Sequence, residues 1–318
     1  MNKAIILLII LLIFITGCTQ PETINEEPED VQEENTLPED IEKDEQKPSW
    51  EYKRLSIGGK YADAEIVDFG DKYRMYYSEE PEVQDFKGRV YSSISADGVI
   101  WTQEQGTRKE WATFPSVIKT EDNKYRMYFQ NSGAIKSATS TDGLTWNDEQ
   151  GIRIINTENN AGLNLENVAA PTVIKIDNSY LMVYRGNINN RYSNEVPNNN
   201  IQILLWATSN DGINFEKKGI ALDSRNEEFQ GLLDGSELVE WDDEIRLYFW
   251  SYKGVYHVTY KDGKFSQDAV LDYTTSTNDY MRFPENPPGD PTLIKINDKW
   301  FMYYGQHEKG IYYAILEA

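Results

Sequence analysis

Five short segments carry most of the groups in this chain that could do chemistry. They read Tyr61-Ala62-Asp63-Ala64, Thr113-Phe114-Pro115, Ala169-Ala170-Pro171, Asp234-Gly235-Ser236 and Gly289-Asp290-Pro291, and each leads into an apolar, strand-like run. Three of them hold an aspartate: Asp63, Asp234 and Asp290. Glu65 and Glu237 follow close behind. Carboxyl groups gathered at one place suit general acid–base work, in which one holds a proton while another is ionised. Crowding around one axis supplies that difference, because like-charge repulsion raises the pKa of one member. Taken singly, these acids could equally cap turns or bind solvent; taken as a group, they point to a site. Other chemistries find no support. There is no nucleophilic serine motif with a matching histidine, no phosphate-binding glycine loop and no dinucleotide fingerprint. With only His257 and His307 in the chain, a multi-histidine zinc site is excluded.

The elements that must position these groups are internal repeats. One aromatic strand signature recurs, centred on Met75, Met127, Met182, Leu247 and Met302, at spacings of 52, 55, 65 and 55 residues. A strand precedes each copy across a short turn rich in Asp, Asn and Gly, residues that tolerate left-handed backbone, so the two predict a hairpin. A third strand follows. It ends in a Ser-x-Asp-Gly turn at Ser95, Ser140 and Ser209, with a weaker copy at Asp262-Gly263. The aromatic after each turn (Trp101, Trp146, Phe215, Phe265) is expected to pack between sheets. The fifth repeat lacks a fourth strand, but the body opens with a spare one, beginning Trp50-Glu51-Tyr52. Five four-stranded units therefore predict an all-β fold, a five-bladed β-propeller closed by an N-terminal strand that completes the last blade. An open solenoid would leave unpaired edges and needs caps that the sequence does not offer.

The body resembles the five-bladed glycosidase superfamily: the family 43 arabinanases and xylosidases and the family 32-like invertase and levansucrase relatives. The likeness rests on the repeat count, the Asp290-Pro291 lead into a first strand, the closing strand and the Tyr-Met-Tyr-Tyr second strand. The Ser-x-Asp-Gly turns also look like the Asp-box of sialidases, but those resemble rings of six blades. The resemblance implies a glycoside hydrolase with paired carboxylates at the axis. A separation of about 5 Å favours retention of configuration and about 6.5–9.5 Å inversion. It implies that Asp63 acts as base or nucleophile and that Asp234 is the nearest match to a general acid, with Asp290 beside them and Glu65 or Glu237 as substitutes. A third family carboxylate is missing, because Ala170 stands in its place. Arg185 and Arg282 are candidates to hydrogen-bond sugar hydroxyls or an acidic sugar. Trp111, Phe114 and Phe283 are candidates to stack on sugar rings. No cofactor is required; a calcium ion on axial carboxylates is an option, with His307 as a weak candidate to help hold it. Carbohydrate is the expected partner of a monomer. The alternative is a propeller that has lost the chemistry and binds glycan or protein. The polar insertion from Asn187 to Asn200 would wall a cleft in the first reading and be idle in the second.

The N-terminus sets the expected location. Residues 1–17 read as a lipoprotein signal peptide: Lys3, an apolar run from Ala4 to Ile15, then Thr16-Gly17-Cys18. The run is short for a membrane span. Ile15-Thr16-Gly17-Cys18 resembles the bacterial lipobox, and Cys18 is the chain's one cysteine, so no disulfide framework is possible. Residues 18–49 read as a lipidated cysteine and a disordered acidic linker; Pro21 to Pro48 holds twelve acidic residues, two lysines and no aromatics. Residues 50–318 form the propeller. A net charge of −22 argues against nucleic acid and against docking on anionic lipid. The protein is thus expected outside the cytoplasm, held to a membrane through Cys18. Two or more acyl chains would be needed for a stable anchor. Replacing Cys18 with Ser should move the protein from the membrane to the soluble fraction of lysed cells. A variant that stays with the membrane would end the lipid-anchor expectation.

Overall fold

A computed structural model describes residues 49–120, 124–157, 160–274, 287–306 and 309–317. The leader, Cys18 and the acidic stretch fall outside these residues. The described chain contains strands and turns only, arranged as five separate antiparallel sheets. The first strands of the five sheets are Tyr61–Asp68, Thr113–Lys119, Asn167–Ile176, Asp234–Trp241 and Gly289–Ile296. Each touches the next, and Gly289–Ile296 returns to Tyr61–Asp68, so the five line a closed ring. The protein is a five-bladed β-propeller.

Within each blade the chain steps outward strand by strand. The hairpin turns behave as their residues predict, with Asp177, Asp242, Asn297 and Asp298 all left-handed at φ 50°, 51°, 49° and 64°. Second strands are Tyr73–Glu79, Tyr125–Asn131, Ser179–Ile188, Glu244–Ser251 and Lys299–Gln306. Outer strands are less regular than the repeat suggests. In blade one Thr102–Gln103 and Lys109–Glu110 both pair with the third strand Arg89–Ser95, and in blade four Lys264–Phe265 and Val270–Tyr273 both pair with Gly254–Lys261. In blade five the sheet ends on Ser49–Gly58, which runs antiparallel to Gly310–Glu317.

The core lies between blades rather than within one. Val67 and Tyr76 of blade one pack with Val117 and Met127 of blade two, and Met182 and Leu205 of blade three pack with Tyr128 and Ile135 of blade two. The Ser-x-Asp-Gly turns fasten these layers. Ser140 Oγ accepts from Gly143 N at 2.8 Å, and Asp142 Oδ1 accepts from Leu144 N and Thr145 N, both at 2.8 Å. That fixed turn presents the Gly143 carbonyl to the Tyr76 hydroxyl of the preceding blade at 2.8 Å. Tyr128 makes the same bond to Gly212 at 2.9 Å, and Tyr303 does so to Gly98. The aromatic after each turn meets the same tyrosine edge-on: Trp146 with Tyr76, Phe215 with Tyr128 and Trp101 with Tyr303. Arg74 adds a second tie, bonding Glu104 through two nitrogens at 2.8 and 3.0 Å and the Asp142 carbonyl at 2.9 Å. Arg126 repeats it with Glu149 and Asp211.

This latch makes a stability prediction. Tyr128 is fully buried, so Tyr128→Phe removes a donor from the Gly212 carbonyl without changing the packing. Unfolding in urea should need about 1–2 kcal/mol less free energy, with an unchanged slope. Tyr52→Phe, at a residue 53% exposed, should change nothing.

Candidate active site

The lead into each first strand has one geometry, repeated five times. The register with the second strand slips between Ala62 and Glu65, Thr113 and Ser116, Ala169 and Thr172, Asp234 and Glu237, and Gly289 and Thr292. At each slip one residue is left-handed: Asp63, Phe114, Ala170, Gly235 and Asp290, at φ 53°, 50°, 45°, 50° and 46°. Such a bulge re-aims the side chains beside it. It also fixes which residues are equivalent. Asp63 and Asp290 occupy the same position in neighbouring blades. Asp234 sits one residue earlier, and Gly235 takes the left-handed place in blade four. A side chain does not fit there. A Cβ on Gly235 would lie 2.1 Å from Asp290 Oδ1 and 2.5 Å from its Cα.

Opposite each bulge, the second strand contributes one residue to the same mouth. Ser78, Arg185 and Gly305 pair with Ala62, Ala169 and Gly289, while Gln130 and Trp250 pair with Thr113 and Asp234. These partners tie the acids down. Phe114 N donates to Ser78 Oγ at 3.0 Å and, at 3.4 Å, to Asp63 Oδ2. Trp250 Nε1 donates to Asp290 Oδ1 at 3.1 Å. Arg185 forms a buried ion pair with Asp234, whose other oxygen accepts from Gly235 N at 2.8 Å, and its guanidinium stands 5.2 Å from the Phe114 ring centre.

A cleft of about 730 Å³ opens over this mouth, lined among others by Asp63, Asp290, Arg185, Trp250, Phe114 and Trp111. Asp234 does not line it and lies behind Arg185. Burial pushes the Asp63 carboxyl up to about 7, with Asp234 adding to the rise and the Ser78 hydroxyl opposing it. Asp290 is raised well above the usual carboxylate range by burial, then by the charges of Asp63 and Asp234; Trp250 and Arg185 oppose this. One carboxyl therefore keeps its proton while its neighbour titrates near neutrality, the asymmetry that acid–base catalysis needs.

Glu65 and Glu237 are placed elsewhere. They lie two residues past the left-handed position, inside the ring, and do not line the cleft. There they join a belt of cross-blade hydrogen bonds. Glu65 accepts from Val117 N at 2.8 Å, Ser116 from Val173 N at 3.1 Å and Thr172 from Leu238 N at 2.9 Å, while Thr172 and Thr292 donate to Glu237 at 3.3 and 3.4 Å. Glu65 and Glu237 also hydrogen-bond each other. Burial drives Glu65 up to about 8, and burial with the Glu65 charge drives Glu237 well above its ordinary value, so the pair shares a proton. Arg282, Phe283 and His307 fall outside the described residues. The insertion after Asn187 packs Tyr192 and Val196 against Trp250, Leu232 and Tyr252, and so braces the cleft wall from behind. Trp250 and the cleft-lining Glu79 and Glu80 are additions to the sequence reading. A signal for Trp250 was present: it stands three residues past Leu247, as Arg185 stands three past Met182. Among the described residues no three or more His, Cys, Asp or Glu are placed to hold a metal ion. Arg185 already brings positive charge to this mouth.

No family profile and no curated protein matches the chain. Solved structures do match its fold. One belongs to the GH130 family of mannoside phosphorylases, which contains glycoside hydrolases that target β-1,2 mannosidic linkages in Candida mannan. It is 15% identical, with a TM-score of 0.62, covering 88% of this chain and 96% of that one. A GH43 β-xylosidase/α-arabinofuranosidase from a compost microbial metagenome, in a calcium-free complex with xylotriose, is 15% identical with a TM-score of 0.59, covering 85% and 95%. A glycosyl hydrolase from Bacteroides ovatus is 14% identical with a TM-score of 0.57, covering 82% and 84%. At these identities the likeness establishes the shared five-bladed fold.

The belt predicts how stability depends on pH. Glu65 binds its proton more tightly in the native state (about 8) than at its ordinary 4.5. The folded protein therefore holds more protons between those values, and stability falls as pH rises through them. The urea midpoint should drop between about pH 4.5 and 8. Glu65→Gln, which keeps a hydrogen-bonding oxygen without the charge, should flatten that slope. An unchanged slope in the variant would remove the shared proton from the account.

Proposed function

We propose that this protein hydrolyses glycosidic bonds in its cleft, with Asp290 as proton donor to the leaving oxygen and Asp63 as the base that activates water. The supporting observation is that two equivalent carboxyls on neighbouring blades line one cleft, both raised by burial, Asp63 further by the Asp234 charge and Asp290 further by the charges of Asp63 and Asp234. The hydrolytic transition state gathers positive charge at the anomeric carbon as the leaving oxygen takes a proton. Asp290 holds that proton. Asp63, ionised above about 7, accepts one from water and faces the developing charge. In this reading Asp234 is not the acid that the resemblance suggests. Its two oxygens are taken by Arg185 and Gly235 N, so it acts as a positioning residue that holds Arg185 towards a sugar hydroxyl. The glycoside hydrolases among the structural neighbours support a carbohydrate substrate. The leader and Cys18 support a lipid anchor outside the cytoplasm. A second reading, a propeller that binds glycan without cleaving it, draws on Ala170 and Gly235. With Phe114, they leave three of the five left-handed positions without an acid.

The test is hydrolysis of arabinan, xylan, mannan and their oligosaccharides by the detergent-extracted protein. Asp63→Asn and Asp290→Asn should each lower kcat by roughly 10²–10⁴-fold, and Asp234→Asn should lower kcat/KM by about tenfold. For the wild type, kcat/KM should rise with pH through about 7 as Asp63 ionises. Glycan binding without hydrolysis by the wild type would select the second reading.

A further inference from the structure

Trp111 is the most conspicuous residue in the cleft that the acid–base chemistry does not use. It is 61% exposed, and its backbone is left-handed at φ 57°. For a bulky side chain that conformation is a true outlier, and it persists only where neighbouring bonds impose it. Those bonds are present. Lys109–Glu110 pairs with Arg89 and Val90, and Ala112 N donates to the Gly88 carbonyl at 2.8 Å. The Trp111 carbonyl accepts from Asn131 Nδ2 at 2.6 Å. The backbone is therefore pinned on both sides, and the indole is pushed out into the cleft. Gly88 fits this arrangement: a Cβ there would come within 3.3 Å of Ala112 N. Phe86, 41% exposed, lines the same cleft.

An isolated exposed aromatic needs no explanation. Two in one cleft, one of them held by a strained and clamped backbone, do. Phe86 stands on the loop between the second and third strands of blade one and Trp111 on the link from blade one to blade two, off the first strands that carry Asp63 and Asp290, and the same cleft carries polar groups on Gln130, Asn131 and Lys87. Apolar faces edged with hydrogen-bonding groups match a pyranose or furanose ring, which offers a C–H face and a rim of hydroxyls.

We infer that Trp111 and Phe86 form a second sugar site beside the acidic pair, so that the protein takes oligosaccharides rather than single sugars. This rests on the glycosidase reading for the identity of the ligand, and the binding readout separates the two.

The probes are xylotriose, mannotriose and arabinotriose, each set beside the matching methyl monoglycoside, whose aglycone is too small to reach a second site. Binding is measured by calorimetry and cleavage by product release, on the full-length protein in detergent. Trp111→Ala should weaken binding of the accepted trisaccharide by about tenfold or more and leave the monoglycoside unaffected. Trp111→Phe, which keeps a ring, should restore most of the loss. If the wild type binds a trisaccharide without cleaving it and Trp111→Ala abolishes that binding, the glycosidase reading fails and the second site stands. Equal loss on both probes, no loss on either, failure of Trp111→Phe to restore binding, or no trisaccharide bound by the wild type would each overturn the site.

Discussion

Every first strand enters the ring through one left-handed residue, and the mouth of the molecule is organised by that turn. The bulge rotates the strand so that the residue at the turn and the one two places later serve different layers. Asp63 and Asp290 are turned to the cleft, and Glu65 and Glu237 to the interior. An ordinary strand would set residues two apart on the same face. The left-handed backbone is costly for most side chains, and aspartate and glycine are among the residues that bear it best. Blade four illustrates the constraint from the other side. Gly235 is needed because Asp290 of the next blade occupies the space that its side chain would fill.

Burying several carboxyls at one axis is expensive unless each finds partners. The belt supplies them with backbone amides from the neighbouring blade and with the hydroxyls of Thr172 and Thr292. The blade-to-blade latches through Tyr76, Tyr128 and Tyr303 lie elsewhere on the sheets and do not involve the acids. Stability thus comes mainly from apolar layers and latches between blades. The mouth is left free to hold charge, strain and exposed aromatic surface.

Much of the fold was legible because its determinants are local. The Tyr-Met-Tyr-Tyr strand, the Asp and Asn hairpin turns and the Ser-x-Asp-Gly turns each encode their own geometry over a few residues. The split outer strands of blades one and four were not legible, since Lys109–Glu110 and Val270–Tyr273 carry no periodic signal. Part of the cleft lining was readable from the segments that lead into the first strands. Asp63, Asp290 and Arg185 sit together at the mouth. Asp234 was read as the nearest match to a general acid because it precedes the first strand of blade four, and the bulge shows that Gly235 holds the position equivalent to Asp63 and Asp290. Proline marks the following position in three blades, and Ser236 and Ala64 stand there in the other two. Glu65 and Glu237 look like cleft residues by spacing and are interior residues by rotation.

The last blade draws its outermost strand from the beginning of the described chain, with Ser49 beside Glu317. The two ends therefore meet, and no blade is terminal in space although two are terminal in sequence. The numbering of the blades is a convention of chain order. A circular permutant, joined between those ends and cut at any of the hairpin turns, would present the same five sheets, the same belt and the same mouth.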